Sequence, residues 1–426
     1  MIESSSAKLK PILIVAFHFP PAAGSSGHLR TLSFARELPK YGWRPIVLTV
    51  SPYVHPETNQ NNIGLPSSVR VYRAFAVDTA RHLAIRGRYF RRMALPDRWA
   101  SWMLMGVPLG LTLIARYRPK ILWTTYPIAT AHLLGIALHR LTGIPWVADF
   151  RDPMIEIDPY TGERTPAEPD LWNARSWIES HVMGSASRNV FVSSGALEIC
   201  AERYPHVSRQ SMALIPNGYD EDGFVQAEAA SSSYGRAGRI VLLHSGLLYP
   251  TPDRDPKDFF TALAALKKSK TISSDNLQVV LRASGYDERY RRQVSELGIQ
   301  DIVHLAPLIP YVDALAEMLF ADGLLLFQGY TSNPAIPAKL YEYFRARRPI
   351  FAMVHKDGDT AAVLRAEGVG RIVPLSSPQE IAAGLQVFLA EVGAKRAPVL
   401  SKEAVAKHSR AARAAALAAL LEEITH

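Results

Sequence analysis

Short runs of consecutive apolar residues alternate along this chain with stretches in which apolar residues recur every three or four positions. PILIVAF (11–17) is followed by GHLRTLSFARELPKYG (27–42), whose apolar stripe predicts an amphipathic helix. RPIVLTV (44–50), KILWTTYP (120–127), IPWVADF (144–150) and RNVFVSS (188–194) repeat the apolar run, with helical patterns between them. Such runs suit strands buried on both faces, and the helices between them predict βαβ units on a parallel sheet.

The texture changes near residue 222. GFVQAEAASSSYGRAGR (223–239) is small, polar and rich in Ser and Ala, and reads as a linker over 222–238. The pattern then restarts with IVLLHSG (240–246), LQVVLRASG (277–285), IVHLAPL (302–308), GLLLFQGY (323–330), RPIFAMV (348–354) and GRIVPL (370–375). The expected fold class is therefore α/β, with two Rossmann-like doubly wound domains, over 1–221 and 239–401, and a strongly helical tail over about 402–426. Two such domains are expected to face each other across a cleft, with ligands beyond the carboxyl ends of the strands. Functional residues should then sit in loops just after strands.

Composition narrows the partners. The net charge is +9 with one cysteine, Cys200, so no intramolecular disulfide can form, as in a reducing cytoplasm. The basic balance favours phosphates, nucleic acid or an acidic membrane surface. Arg81, Arg86, Arg88, Arg91, Arg92 and Arg98 crowd one segment, RHLAIRGRYFRRMALPDR, and the uncharged WASWMLMGVPLGLTLIA (99–115) follows it directly. That stretch is short for a span, which needs roughly 20 apolar residues, and Pro108 interrupts it. A buried or membrane-dipping helix is expected. The first apolar run is broken at once by HFPP, so it reads as a strand and not as a secretory signal.

The loops after the strands carry the candidate chemistry. In FHFPPAAGSSGHLR, Gly24 and Gly27 allow tight turns and close approach of a phosphate or sugar. The segment has neither the G-x-G-x-x-G spacing of a dinucleotide fold nor a P-loop ending. HSGLLYPTPDRDP offers Ser245 and Gly246 in a small turn and Arg254 to grip a diphosphate. Its Asp-Arg-Asp could hold a metal, but a basic residue is what a metal-free phosphate site needs, and no zinc spacing is found among the histidines. Gly285 and Leu308 end two further strands of this domain and are grouped with the same ligand side. ADFRDP places Asp149, Arg151 and Asp152 at a strand end, either as a buried ion pair or as reacting groups, and His132, at the start of a nearby helix, is either a structural histidine or a further catalytic candidate beside Asp149 and Arg151. In TSNPAIPAKLYEYFRARRPI (331–350), a loop through Ala335 and Ile336 becomes a helix just past Pro337, and Lys339 and Glu342 share one face. Backbone N–H groups there, with the helix dipole, can receive a diphosphate.

FPPAAGSSGHLRTLSFARELPKYG, TGIPWVADFRDP, VFVSSGALE, IPNGYDEDGF, HSGLLYPTPDRDP and IPAKLYEYFRARRPI occur in an order that resembles the bacterial GT-B glycosyltransferases of retaining family 4. The resemblance implies a first domain for the acceptor, a second for a nucleotide-diphosphate sugar, and a final helix returning to the first domain. It implies that Glu342 holds the ribose hydroxyls and that Lys339 and Arg254 meet the diphosphate. The family's earlier glutamate is Pro334 here, its Gly-Arg after the strand reads Gly246-Leu247, and its histidine near the reacting sugar aligns with Arg151. On this resemblance no cofactor or metal is expected. The partners would be a nucleotide-sugar donor, a lipid-linked or glycan acceptor and an anionic membrane surface at the cytoplasmic face, with no nucleic acid. A GT-B module that binds nucleotide sugar or a partner protein without turnover, and a GT-B epimerase or phosphorylase, are the alternatives.

Overall fold

The computed structural model describes residues 9–22, 27–58, 65–158, 161–229 and 238–425. They form two compact units, Met1–Asn217 with Arg410–His426, and Gly218–Ser409.

The first unit carries β1 (Lys10–Val15), α1 (Gly27–Glu37), β2 (Trp43–Val50), β3 (Arg70–Ala74), α2 (Thr79–His82), α3 (Trp102–Tyr117), β4 (Ile121–Thr125), α4 (Ala129–Thr142) and β5 (Trp146–Arg151). A two-stranded ribbon, β6 (Glu156–Ile157) with β7 (Arg164–Thr165), precedes α5 (Pro169–Ser185), β8 (Arg188–Phe191), α6 (Ser194–Arg203) and β9 (Met212–Leu214). The sheet runs β3-β2-β1-β4-β5-β8-β9, with every pair parallel. Alternate residues of β1 enter opposite cores: Leu13 and Val15 join Trp102, Leu134 and Trp146 on one face, while Ile12 and Ile14 join Phe34, Trp43 and Trp123 on the other. That two-sided burial is why these strands read as unbroken apolar runs.

The second unit carries α7 (Glu221–Ala229), β10 (Ile240–Ser245), α8 (Lys257–Lys268), β11 (Leu277–Arg282), α9 (Asp287–Glu296), β12 (Val303–Ala306), α10 (Tyr311–Phe320) and β13 (Gly323–Phe327). It continues with α11 (Lys339–Ala346), β14 (Ile350–Met353), α12 (Asp359–Ala366), β15 (Arg371–Val373), α13 (Pro378–Gly393) and α14 (Lys402–Ala406). Its sheet order is β12-β11-β10-β13-β14-β15, again all parallel. Both sheets thus show the crossing order of a doubly wound fold.

Three segments differ from their sequence pattern. The expected linker from 222 is helical over Glu221–Ala229: Phe224 and Ala227 are buried with Leu315 and Met318, and Arg345 binds Glu221 and Glu228 at 2.6 and 2.9 Å. Residues 230–237 lie outside the described ones. The tail is two helices, and only the last, α15 (Arg410–Thr425), belongs to the first unit, where Leu417 and Leu421 pack with Phe34 and Ala35 of α1. Burying such a leucine contributes about 1.5–3 kcal/mol. The uncharged stretch is α3, and it is two-sided. Trp102, Gly106, Gly110 and Leu113 face inward, while Leu104 and Met105 are 76% and 52% exposed. A methyl at Gly106 or Gly110 would meet Leu134 at 2.9 Å or Leu138 at 2.8 Å, so these glycines let α3 lie close on α4. Among the described residues, no helix is long and apolar enough to cross a membrane.

Candidate active site

In the second unit the chemistry gathers where β10 and β13 end and α11 begins. His244, the penultimate residue of β10, is buried, and its Nδ1 lies 2.9 Å from the Leu325 carbonyl. Nδ1–H must donate there, which leaves Nε2 as an acceptor 3.3 Å from Lys339 Nζ. Burial, followed by the Lys339 charge, holds the His244 imidazole well below its ordinary pKa, so it is neutral. Lys339 is the first residue of α11, and its ammonium is pushed down to about 7 by burial and by Arg254, against the opposing pull of Glu342. Gly246 has φ +125°, and a Cβ there would stand 2.7 Å from Lys339 Nζ. Only glycine leaves room for the ammonium over this turn.

Arg254 lies over the Tyr249 ring and 3.1 Å from the Asp253 carboxylate. Asp255 caps the backbone N–H of Lys257 and sits 3.8 Å from Arg289. The carboxylates of the Asp-Arg-Asp run are thus spent on neighbouring cations and backbone. Among the described residues, no group of three or more His, Cys, Asp or Glu is placed to hold a metal.

The loop before α11 is held from beneath. The Gln328 amide, buried, donates to the carbonyls of Ser332 (2.7 Å) and Ala335 (2.8 Å), and the Thr360 hydroxyl donates to its oxygen at 2.5 Å. A Cβ at Gly329 would stand 2.0 Å from the Pro252 carbonyl, so the two loops touch backbone to backbone. Ile336 is buried, and the N–H groups of Leu340 and Tyr341 in the first turn of α11 donate to the carbonyls of Pro337 and Ala338 at 2.9 and 3.2 Å. Glu342, one turn on, accepts from the Tyr311 hydroxyl at 2.7 Å. Ser245 ends β10, and Gly285, with φ +83°, packs on Leu247 at a position where a Cβ would come within 2.6 Å. Leu308 is 82% exposed and makes no part of this cluster.

In the first unit the sequence candidates separate. Asp149 is completely buried, its two oxygens meeting Arg30 Nε and Nη2 at 3.1 and 3.0 Å and the Thr125 hydroxyl at 2.8 Å. Arg30 also donates to the carbonyls of Ile215 and Pro216, at 2.9 and 3.0 Å. This carboxylate is a brace between α1, β5 and the chain after β9, which corrects the expectation that it reaches a ligand. His132 is likewise interior. Its Nδ1 lies 2.6 Å from the Thr124 hydroxyl, which also accepts from the Trp146 indole at 2.9 Å, and burial lowers its pKa to about 3. It is a neutral core histidine, again a correction. Arg151 keeps partial exposure at the end of β5, with φ +63°. Asp152 beside it is raised by burial, against the pull of Arg151.

Two residues absent from the sequence reading stand together in this unit, and one of them, His18, feels the charge of Arg151. His18, just beyond β1, has its pKa lowered to about 4 by burial and by the charges of His55, Arg151 and His28. His55 lies with its ring centroid 6.3 Å from that of His18 and is lowered to about 4 by burial and by Arg73. The signal was present in the sequence, since His18 sits directly after an apolar strand, where ligands of such folds collect. Gly24 lies outside the described residues, and Gly27 opens α1.

Residues 27–218 match the sequence profile of the glycosyl transferase 4-like domain. Among curated proteins none matches the chain. Sucrose-phosphate synthase from Thermosynechococcus elongatus superposes with a TM-score of 0.65 at 18% identity, over 97% of this chain and 99% of that one. Trehalose 6-phosphate synthase from Burkholderia multivorans gives 0.65 at 11%, over 98% and 97%. Anabaena HepE in complex with UDP gives 0.58 at 13%, over 97% of each chain. The domain profile covers the first unit, and the fold of the whole chain is the GT-B fold of these structures.

Proposed function

We propose, from this GT-B fold and from the Lys339 cluster, that the protein transfers a sugar from a nucleotide-diphosphate sugar to a lipid-linked acceptor in cell-surface polysaccharide or glycoconjugate synthesis. The observation that carries the donor half is a depressed ammonium, Lys339, poised over a glycine turn with neutral His244 behind it and Arg254 nearby. Such a cation gains charge and partner together when a diphosphate arrives. The UDP complex of HepE supports the same ligand class.

As the sugar leaves, negative charge grows on the diphosphate. Lys339, Arg254 and the positive end of the α11 dipole are set to receive it, and fixed charges and dipoles of this kind stabilise the transition state without reorganising. In this reading Glu342 accepts the ribose hydroxyls, the three cationic or dipolar groups replace a metal, and the acceptor attacks the same face the diphosphate leaves, with retention. In the first unit, His18 and Arg151 keep partial exposure just beyond β1 and at the end of β5. The lipid-linked acceptor places the enzyme at the inner face of the cell membrane.

Pro334 and Leu247, which stand where the resembled family has a glutamate and an arginine, favour one alternative: a module that binds nucleotide sugar without turnover. Thermal shift against a panel of nucleotide sugars, followed by transfer assays with and without EDTA, tests the proposal. A donor at about 100 times its Kd adds roughly 2.7 kcal/mol of stability. A panel with no stabilising member contradicts the donor assignment. Transfer abolished by EDTA and restored by manganese contradicts the metal-free mechanism.

A further inference from the structure

The segment after α2 is built in an unusual way for a surface loop. Thr79, buried, donates its hydroxyl to the carbonyls of Met93 and Arg98, both at 3.0 Å, and so closes the neck. Asp78 caps α2 through the N–H groups of Ala80 and Arg81, and its other oxygen pairs with Arg98 at 3.3 Å. Beyond the neck, Ile85 and Arg88 exchange backbone hydrogen bonds of 2.8 and 3.0 Å across Arg86 (φ +50°) and Gly87 (φ +77°). Two successive positive φ values make a tight turn of the I′ kind. The loop therefore holds a shape without a core of its own.

Its side chains are inverted relative to a solvated loop. Ile85 and Phe90 are each 79% exposed and Met93 49%. The guanidinium groups of Arg86, Arg88, Arg91 and Arg92 stand among them, exposed and without a hydrogen-bond or ion-pair partner among the described residues. No Asp or Glu occurs between Thr79 and Pro96. Large apolar groups held out in water by an ordered backbone mark an interaction surface. Guanidinium groups interleaved with them, with no acid to balance the charge, select an anionic partner that also accepts hydrocarbon. A bilayer containing acidic phospholipid has both properties at one depth, with phosphates at the surface and acyl chains just beneath.

We infer that the closed loop 79–93 is a membrane-docking element, which inserts Ile85 and Phe90 below the headgroups of an anionic bilayer while Arg86, Arg88, Arg91 and Arg92 bind the lipid phosphates. This deepens the membrane part of the proposed function and rests on it. It also moves the contact from the helix of the uncharged stretch to the loop before it, because α3 spends its inner face on α4.

Vesicle co-sedimentation without any nucleotide sugar tests the inference. The wild-type chain should sediment with phosphatidylcholine vesicles containing phosphatidylglycerol at low salt, and remain in solution with phosphatidylcholine alone. Replacing the four arginines by glutamine should weaken binding by roughly two to three orders of magnitude. Ile85→Ser with Phe90→Ser, which keeps every charge, should also release the protein, while its melting temperature and its calorimetric donor affinity stay unchanged. Wild-type protein left in the supernatant with anionic vesicles overturns the inference. So does a serine variant that sediments like wild type, since the charges alone would then suffice. A wild-type dimer that becomes monomeric in the serine variant assigns the patch to a second copy instead. Donor affinity is read separately, so a failed glycosyltransferase reading and a failed membrane reading give different results.

Discussion

If Lys339 meets the donor diphosphate, donor affinity must fall as pH rises above neutrality. In the free protein its ammonium titrates at about 7. An opposite charge within about 4–6 Å raises such a pKa by roughly 1–3 units. Taking about two units, Lys339 in the complex titrates near 9. Below pH 7 it is charged with or without donor, so affinity is level. Between the two values the free protein has lost the proton and binding must take it back. The linked affinity then drops roughly fiftyfold from pH 6 to pH 9, within the ~2.7 kcal/mol that a two-unit shift can supply. Near pH 8, binding takes up about 0.8 of a proton. Titration calorimetry with a nucleotide sugar, in buffers of different ionisation enthalpy, measures both quantities. The donor's diphosphate diester does not titrate in this range, and Lys339→Met should abolish the proton uptake. Affinity that is level from pH 6 to 9, or an equal pH dependence in Lys339→Met, refutes the reasoning.

The same residue predicts a stability cost. A lysine whose folded pKa lies below 10.5 leaves the native state with fewer protons than the unfolded state between about 7 and 10.5, so the ligand-free protein gains stability as pH rises through that window. Lys339→Met should therefore raise the melting temperature at pH 6, and the gain should shrink toward pH 10. Glu342→Ala should weaken donor binding by roughly ten- to a hundredfold, the loss of charged hydrogen bonds worth about 1.5–3 kcal/mol, with little change in melting temperature. Asp149→Ala should destabilise the fold by about 3–5 kcal/mol in chemical denaturation, since it strands Arg30 in the interior. Gly329→Ala should cost about 1–3 kcal/mol in the same assay, because its methyl must displace the Pro252 carbonyl.

The strands were legible because both faces of each sheet are covered, which turns β1, β2, β4, β5, β10 and β13 into apolar runs that need no partner to be recognised. What escaped was set by neighbours far away in sequence. Residues 221–229 look like a linker because they run into the Ala- and Ser-rich AEAASSS (227–233), yet alanine is the best helix former, and one anchor, Phe224, suffices to seat the helix. The uncharged stretch around α3 hides its two sides, since Leu104 outside and Leu113 inside are the same residue type. At the site, Lys339, Gly246 and Arg254 could be grouped because each follows or faces a strand end. His244 could not, because its role depends on the carbonyl of Leu325, three strands on in the chain order. Asp149 was ambiguous in sequence for the same reason: a carboxylate at a strand end is catalytic or structural according to whether an Arg30 from another element reaches it.

The most direct test of the central claim is sugar transfer itself. Purified protein would be incubated with a membrane-lipid extract, which supplies the acceptor, and a panel of radiolabelled nucleotide sugars. The extracted lipids would be separated and the released nucleoside diphosphate quantified, with Lys339→Ala in parallel. The account predicts that one donor yields labelled lipid and an equal amount of nucleoside diphosphate, in the presence of EDTA, and that Lys339→Ala yields far less of both. A donor that binds tightly yet gives neither labelled product nor nucleoside diphosphate across the panel would contradict it.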